Sequence, residues 1–179
     1  MSEIKCPLMD KEVTDFKCAN SSIEQQIKDS YYITLLKQAY GHKIVIDETV
    51  VGYYMLYFKG IRIEDINKIM NEEYESNMSD YYTAMHIRYL AIDERIQHKG
   101  LGVRVLKVLI SNILNLSKRY PIRLITIDAI SEYHEWYMKI GFKDIPGKSF
   151  DGNTYPMFID CMQESDFNKL ETFCEGYFR

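Results

Sequence analysis

Leu90-Ala91-Ile92-Asp93-Glu94-Arg95-Ile96-Gln97-His98-Lys99-Gly100-Leu101-Gly102-Val103 runs from apolar to polar to glycine-punctuated sequence without a break. Tyr81 to Ile92, ahead of it, is rich in aromatic and aliphatic residues and predicts a long central strand. Asp93 to Lys99 predicts a polar turn. From Leu101 to Ser117, Val105, Leu106, Leu109, Ile110 and Ile113 form one apolar stripe while Arg104, Lys107 and Ser111 face away, which predicts an amphipathic helix. A strand that feeds a polar turn and then a helix opened by Gly100 and Gly102 is a cradle for an anion. Turn amides point inward, the helix N-terminus adds partial positive charge, and glycine lets the backbone approach a phosphate closely.

Two other phosphate-binding patterns fail at single residues. A dinucleotide fingerprint needs Gly or Ala where Val105 stands, and a P-loop needs Lys where Leu101 follows Gly100. Working outward, Pro121 ends the helix, Ile122 to Ala129 predicts a buried strand, and Ser131 to Ile140 predicts an aromatic helix closed by Gly141. Strands near Phe142 to Ile145 and Thr154 to Cys161 follow, joined by a turn-rich Pro146 to Asn153, and Glu164 to Phe173 predicts a terminal helix. On the other side, Ser21 or Ser22 caps a helix running to about Tyr40, with Ser22 and Gln25 as a capping box and Ile23, Ile27, Tyr31 and Leu35 on one face. His42 to Asp47 and Val50 to Lys59 predict a hairpin across Asp47-Glu48-Thr49. Ile61 to Tyr74 reads equally as an extra helix or an extended excursion, and Asn71 to Asp80 as a loop. The sum is an α/β chain of the α+β type, a mixed sheet with helices on its faces.

Composition narrows the function. A chain of 179 residues suits one domain, here residues 1–179, with a single core. The net charge of −4 weighs against a general nucleic-acid binder. Cys6, Cys18, Cys161 and Cys174 are scattered without metal-ligand spacing, so neither a metal site nor a redox dithiol is expected. No apolar run resembles a signal peptide or membrane span, and the expectation is a cytoplasmic protein with free thiols and no membrane partner.

The glycine segment matches Q/R-x-x-G-x-G/A at Gln97 to Gly102. Asp128-Ala129 and His134-Glu135-Trp136-Tyr137-Met138-Lys139-Ile140-Gly141-Phe142 follow in order and context. In these segments, over about residues 85 to 145, the chain resembles the GNAT acetyltransferase superfamily; the flanks match only in the order of their elements. The resemblance implies a central mixed, mostly antiparallel sheet with splayed central strands and helices on both faces, its cofactor-binding core at about 81–145. It implies acetyl-CoA as acyl donor, no metal, and transfer of the acetyl group to a primary amine by direct attack. Gln97, His98, Lys99, Gly100, Leu101, Gly102 and Val103 would hold the diphosphate. The backbone of Leu90, Ala91 and Ile92 would pair with the pantetheine arm, and one of its amides would polarise the thioester carbonyl. Tyr137 would donate to the departing thiolate; a free phenol is less acidic than a thiol by about 1.5 pKa units, so it serves as a hydrogen-bond donor rather than an outright acid. Three positions depart from the family: His98, Tyr133 where a small residue is usual, and Ile130 where an Asn often stands.

An acceptor ammonium must lose a proton before attack. Glu94, Asp128 and His86 are the candidates by position, and the sequence selects none. Phe16-Lys17-Cys18, Val51-Gly52-Tyr53-Tyr54 and Asp128-Ala129 also resemble the acetyltransferase toxins of toxin–antitoxin systems, which act on charged tRNA. Lys99, Arg104, Lys107, Lys118, Arg119 and Arg123 could supply the basic surface this needs. The acidic balance, and Tyr89 where such toxins tend to carry Arg, rank that reading below a small-molecule or peptide amine acceptor. A non-catalytic acyl-CoA-binding module is the alternative from another class, and homodimerisation is left open.

Overall fold

The computed structural model describes residues 16–70, 79–97, 99–145 and 153–177. The chain opens with α1 (Ser21–Leu35), then β1 (Tyr40–Ile46), β2 (Thr49–Arg62), α2 (Ile63–Met70) and β3 (Tyr81–Ile92). After a short 3-10 turn at Glu94–Ile96 come α3 (Leu101–Ser117) and β4 (Leu124–Ile130). A second 3-10 turn at Ser131–Tyr133 leads into α4 (His134–Ile140), followed by β5 (Lys143–Asp144), β6 (Thr154–Asp160) and α5 (Glu164–Tyr177). The six strands form one sheet in the order β1-β2-β3-β4-β6-β5. Only β3 and β4 run parallel; the other neighbours are antiparallel.

Local chemistry explains most of the elements. The hairpin between β1 and β2 turns on Asp47 and Glu48, both at positive φ, the geometry that matches the right-handed twist of the two strands. α3 buries Val105, Leu106, Leu109 and Ile113 against the sheet. α4 stops at Gly141, whose φ of 114° suits the left-handed C-cap. Residues 63–70 resolve the ambiguous stretch as a helix, whereas 71–78, most of the expected loop, lie outside the described residues, as do 146–152.

The first helix departs from expectation at both ends. Its cap is Asn20, whose Oδ1 accepts from the amides of Ser22 and Ile23, and not a serine capping box. Glu24 adds a reciprocal bond from the amide of Cys18. The helix stops at Leu35 rather than near Tyr40, and Leu35 is exposed. A strict i+4 series drifts by about 40° per step on a helix of 3.6 residues per turn. The buried face therefore follows Ile27, Ser30 and Thr34 instead.

Two features of β3 place the site. Its pairing with β2 skips Arg88, because Met55 opposes Tyr89 while Leu56 opposes Ile87. Such a bulge bends a strand and increases its twist. Its parallel pairing with β4 covers only Ala84 to Ile87 against Leu124 to Ile127. Beyond that point β3 continues to Ile92 paired to β2 alone, and β4 continues to Ile130 paired to β6 alone. The sheet is split at its centre.

The two faces of the sheet are covered differently. The larger core lies under α3 and α4 and includes Met85, Ile87, Ile92, Ile125, Ile127 and Ala129. On the opposite face, one small cluster gathers Ile27, Tyr53, Met55, Tyr89 and Ala91 beneath α1. Another gathers Ile61, Ile66, Ala84, Leu124 and Phe158 beside α2.

Candidate functional site

A cleft of about 330 Å³ opens where β3 and β4 part. The end of β3 (Leu90, Ala91, Ile92) forms its floor, Gln97 and Gly100 to Val103 form one wall, and Ile130, Tyr133, Trp136 and Tyr137 form another. Cys18, Ala19, Asn20 and Ile23 close the fourth side. Nothing local in the sequence marks that last wall: it is brought from far upstream by the packing of α1 and by the bond from the Glu94 amide to the Lys17 carbonyl.

The amide-bearing wall is built by backbone geometry. Gly100 sits at the N-cap of α3 with φ 74°, where a Cβ would be strained, and no side chain caps the helix. The first amides of α3 are therefore left for another acceptor. At Gly102 a Cβ would meet only Trp136 and Ile92, at 3.8 and 3.9 Å, which is ordinary contact. The protein's own packing does not require glycine there; a ligand lying against the helix would. The side chain of Gln97 turns back and donates to the carbonyl of Ile92 at 2.8 Å, tying the turn to the strand end rather than reaching outward. Asp93 is buried at the start of the polar turn, where it caps the turn and pairs bidentately with Arg95, which holds its carboxyl below the ordinary range. Lys99 is exposed and does not line the cleft, and His98 lies outside the described residues.

Tyr137 is buried, with Trp136 edge-on at 4.7 Å and Phe142 at 5.6 Å between ring centroids. Among the described residues its hydroxyl has no hydrogen-bond partner. Burial, with a smaller contribution from Tyr133, pushes the phenol well above its ordinary pKa, so it stays protonated. Tyr133 and Ile130, two of the three departures from the family pattern, both line the cleft, and Tyr133 is partly exposed there.

These features fit a long, anionic acyl thioester. Uncapped amides could receive a diphosphate, the edge of β3 left open by β4 could pair with an extended amide-bearing arm, and the phenol of Tyr137 lines the same cleft.

The three candidate bases separate. Glu94 is exposed on the 3-10 turn. His86 and Asp128 come together, with Nε2 3.7 Å from Oδ2, and Lys59 Nζ lies 3.7 Å from the same oxygen. His86 is buried and its Nδ1 is 2.9 Å from Thr126 Oγ1. Burial, then the charge of Lys59, lowers its pKa to about 4, so it is neutral near pH 7.

The basic residues also divide. Arg104, Lys107 and Arg119 are exposed on or just after α3. Arg123 does not join them: it is held in a bidentate pair with Asp160 and lies over the rings of Tyr82 and Phe167. Tyr89 is buried, hydrogen-bonded to Ser30, and carries no charge to the surface. Among the described residues no helix is long and apolar enough to cross a membrane.

No family model and no curated protein matches the sequence. Solved structures do match the fold. A bacterial toxin superposes with TM-score 0.72 at 13% identity, covering 96% of this chain and 97% of the other. AtaT complexed with acetyl-methionyl-tRNAfMet gives 0.72 at 16% identity, over 89% and 95%. AtaTR bound with AcCoA gives 0.70 at 15%, over 89% and 94%. With its split mixed sheet and flanking helices, the chain has the GNAT fold, in the form taken by these toxin structures.

Proposed function

We propose that the chain is one acetyltransferase domain that moves the acetyl group of acetyl-CoA onto a primary amine. The observation that carries this reading is the meeting, in one cleft, of the edge of β3 that β4 leaves open, the uncapped start of α3 and the hydroxyl of Tyr137, whose ring is buried. Bound acetyl-CoA would supply an activated acetyl thioester. The amides of Gly102 and Val103 would hold its diphosphate, with Gly100 setting their direction. A backbone amide among Leu90 to Ile92 would stabilise negative charge on the carbonyl oxygen, and Tyr137 would donate a hydrogen bond to the departing sulfur. Its raised pKa makes full proton transfer to the thiolate more uphill than for a free tyrosine, which favours donation over ionisation.

For the acceptor, the toxin reading moves ahead of a small-molecule or peptide amine. The structural neighbour complexed with acetyl-methionyl-tRNAfMet supports an α-amine on charged tRNA. Arg104, Lys107, Lys118 and Arg119 would have to meet the phosphates without Arg123 or a charge at position 89.

The test is release of CoA thiol from acetyl-CoA with polyamines, amino-acid amides, peptides, aminoglycosides and charged tRNA offered in turn. Turnover with one amine class supports the reading. Tight acetyl-CoA binding with no release for any amine would instead mark a non-catalytic acyl-CoA-binding module.

A further inference from the structure

The face of the sheet opposite α3 is apolar beneath α1 and apolar beside α2, but between them it is polar. Side chains alternate along a strand. Met85 and Ile87, and likewise Ile125, Ile127 and Ala129, belong to the core under α3 and α4. His86, Thr126 and Asp128 therefore point to the other face. Tyr57 packs with the α1 cluster on that face, and Lys59, two residues on, shares it. These residues sit where the sheet splits: Ile87 and Ile127 make the last pair of β3 and β4, and Asp128 is the first residue of β4 beyond it. Ile130, two residues further, is already a wall of the cleft.

The geometry points to Asp128 as the residue that receives the acceptor's ammonium and takes its proton, with His86 and Lys59 positioning and tuning it. This rests on the acetyl-transfer reading and identifies the acceptor side of that site. A carboxylate only accepts hydrogen bonds, so the favourable tautomer of neutral His86 carries its proton on Nε2, facing Asp128, and accepts from Thr126 at Nδ1. At 3.7 Å neither contact is a hydrogen bond: Lys59 attracts the carboxylate by charge and His86 faces it, while the Asp128 side chain, 43% exposed, remains reachable. Lys59 shows what the carboxylate accepts, namely a primary ammonium.

An acceptor ammonium arriving at Asp128 stands near Lys59, and this like charge makes it a stronger acid. The other charged or titratable groups facing the pair are Tyr57 and Arg88. The ammonium gives a proton to Asp128, which returns it to solvent. The freed amine then forms the C–N bond as the C–S bond breaks with its electron pair to sulfur. The nitrogen's second proton leaves, and the thiolate, steadied by Tyr137, is protonated. The balance is one ammonium and one thioester to one amide, one thiol and one proton. A weakly basic carboxylate suits a weakly basic amine. Near neutral pH the uncharged fraction of an α-amine exceeds that of a lysine side chain by about 200-fold, so the site favours an α-amine.

The experiment uses the full chain, with methioninamide and N-α-acetyl-lysinamide as acceptors. Asp128→Asn should lower kcat/KM for methioninamide at least 100-fold with acetyl-CoA affinity unchanged. Lys59→Met should move the acidic limb of the kcat profile, which reports the bound acceptor, to higher pH, and methioninamide should exceed acetyl-lysinamide by about 100-fold. Without acetyl-CoA, methioninamide should shift the His86 ring resonances in NMR in the wild type and not in Asp128→Asn. Wild-type turnover that survives Asp128→Asn overturns the assignment while leaving acetyl transfer intact. Acetyl-CoA binding without wild-type turnover of any amine overturns the acetyl-transfer reading instead.

Discussion

Replacing Tyr137 by Phe removes one oxygen and little else. The ring is held edge-on by Trp136 and Phe142, contacts that Phe retains. Because the hydroxyl has no hydrogen-bond partner among the described residues, the change orphans no polar group there, and stability should hold or rise. The loss falls on the reaction. A hydrogen bond to a charged partner is worth about 1.5–3 kcal/mol, and each 1.36 kcal/mol is tenfold in rate. Turnover should therefore drop about 10- to 160-fold by these values. The assay pairs steady-state thiol release with calorimetry of acetyl-CoA binding and a melting curve. Since burial keeps the phenol above its ordinary pKa, wild-type turnover should also show no loss from tyrosine ionisation below about pH 10. A kcat within twofold of wild type would remove Tyr137 from the reaction. So would a fall in kcat matched by a fall in melting temperature, because that would make Tyr137 a packing residue.

Gly102→Ala should leave the melting temperature unchanged or higher, because alanine favours a helix over glycine by about 0.8–1 kcal/mol and a Cβ there meets only ordinary contacts. It should weaken acetyl-CoA binding at least tenfold, and unchanged affinity would remove the ligand from that wall. Gly52→Ala should do the reverse: its Cβ would lie 2.4 Å from the Ala91 carbonyl oxygen and 3.0 Å from Ile92, so β2 must move off β3. Overpacking of this kind costs about 1–3 kcal/mol, a fall of roughly 2–12 °C for a chain this size, readable by calorimetry; an unchanged melting temperature contradicts it. His86 should make the protein acid-labile. Its pKa is about 4 when folded against 6.5 ordinarily, so the unfolded chain takes up the proton first as pH falls. Stability from this residue is intact above about pH 6.5 and lost progressively toward pH 4. Melting curves of wild type and His86→Gln across that window should converge as pH falls; parallel curves would contradict this.

The sequence made the glycine wall readable because α3 carries a strong stripe between two unmistakable ends, Gly100 and Pro121. Its boundaries fell where periodicity placed them. The hairpin at Asp47-Glu48 was legible for a similar reason, polar residues between two apolar runs. α1 was harder, since Ser22 and Gln25 imitate a cap while Asn20, just ahead, performs it. The bulge at Arg88 left no mark that periodicity could use, yet it accompanies the split of the sheet. The wall from Cys18 to Ile23 and the meeting of Lys59, His86 and Asp128 depend on strand register and on segments distant in the chain. Register is a tertiary outcome, set by facing side chains and turns together. Arg123 leaves the basic set for the same reason: its partner, Asp160, is distant in the chain and is brought beside it by the pairing of β4 with β6.

Isothermal titration of the full chain with acetyl-CoA asks whether the amides opening α3, beside the edge of β3 that β4 leaves open, receive an acyl-carrying diphosphate. The expected result is one site per chain with saturable heat, and a stabilisation of about 2.7 kcal/mol at one hundred times Kd, seen as a melting-temperature rise of roughly 5–10 °C. No heat and no rise at saturating acetyl-CoA would contradict it, and the cleft would then need a different occupant.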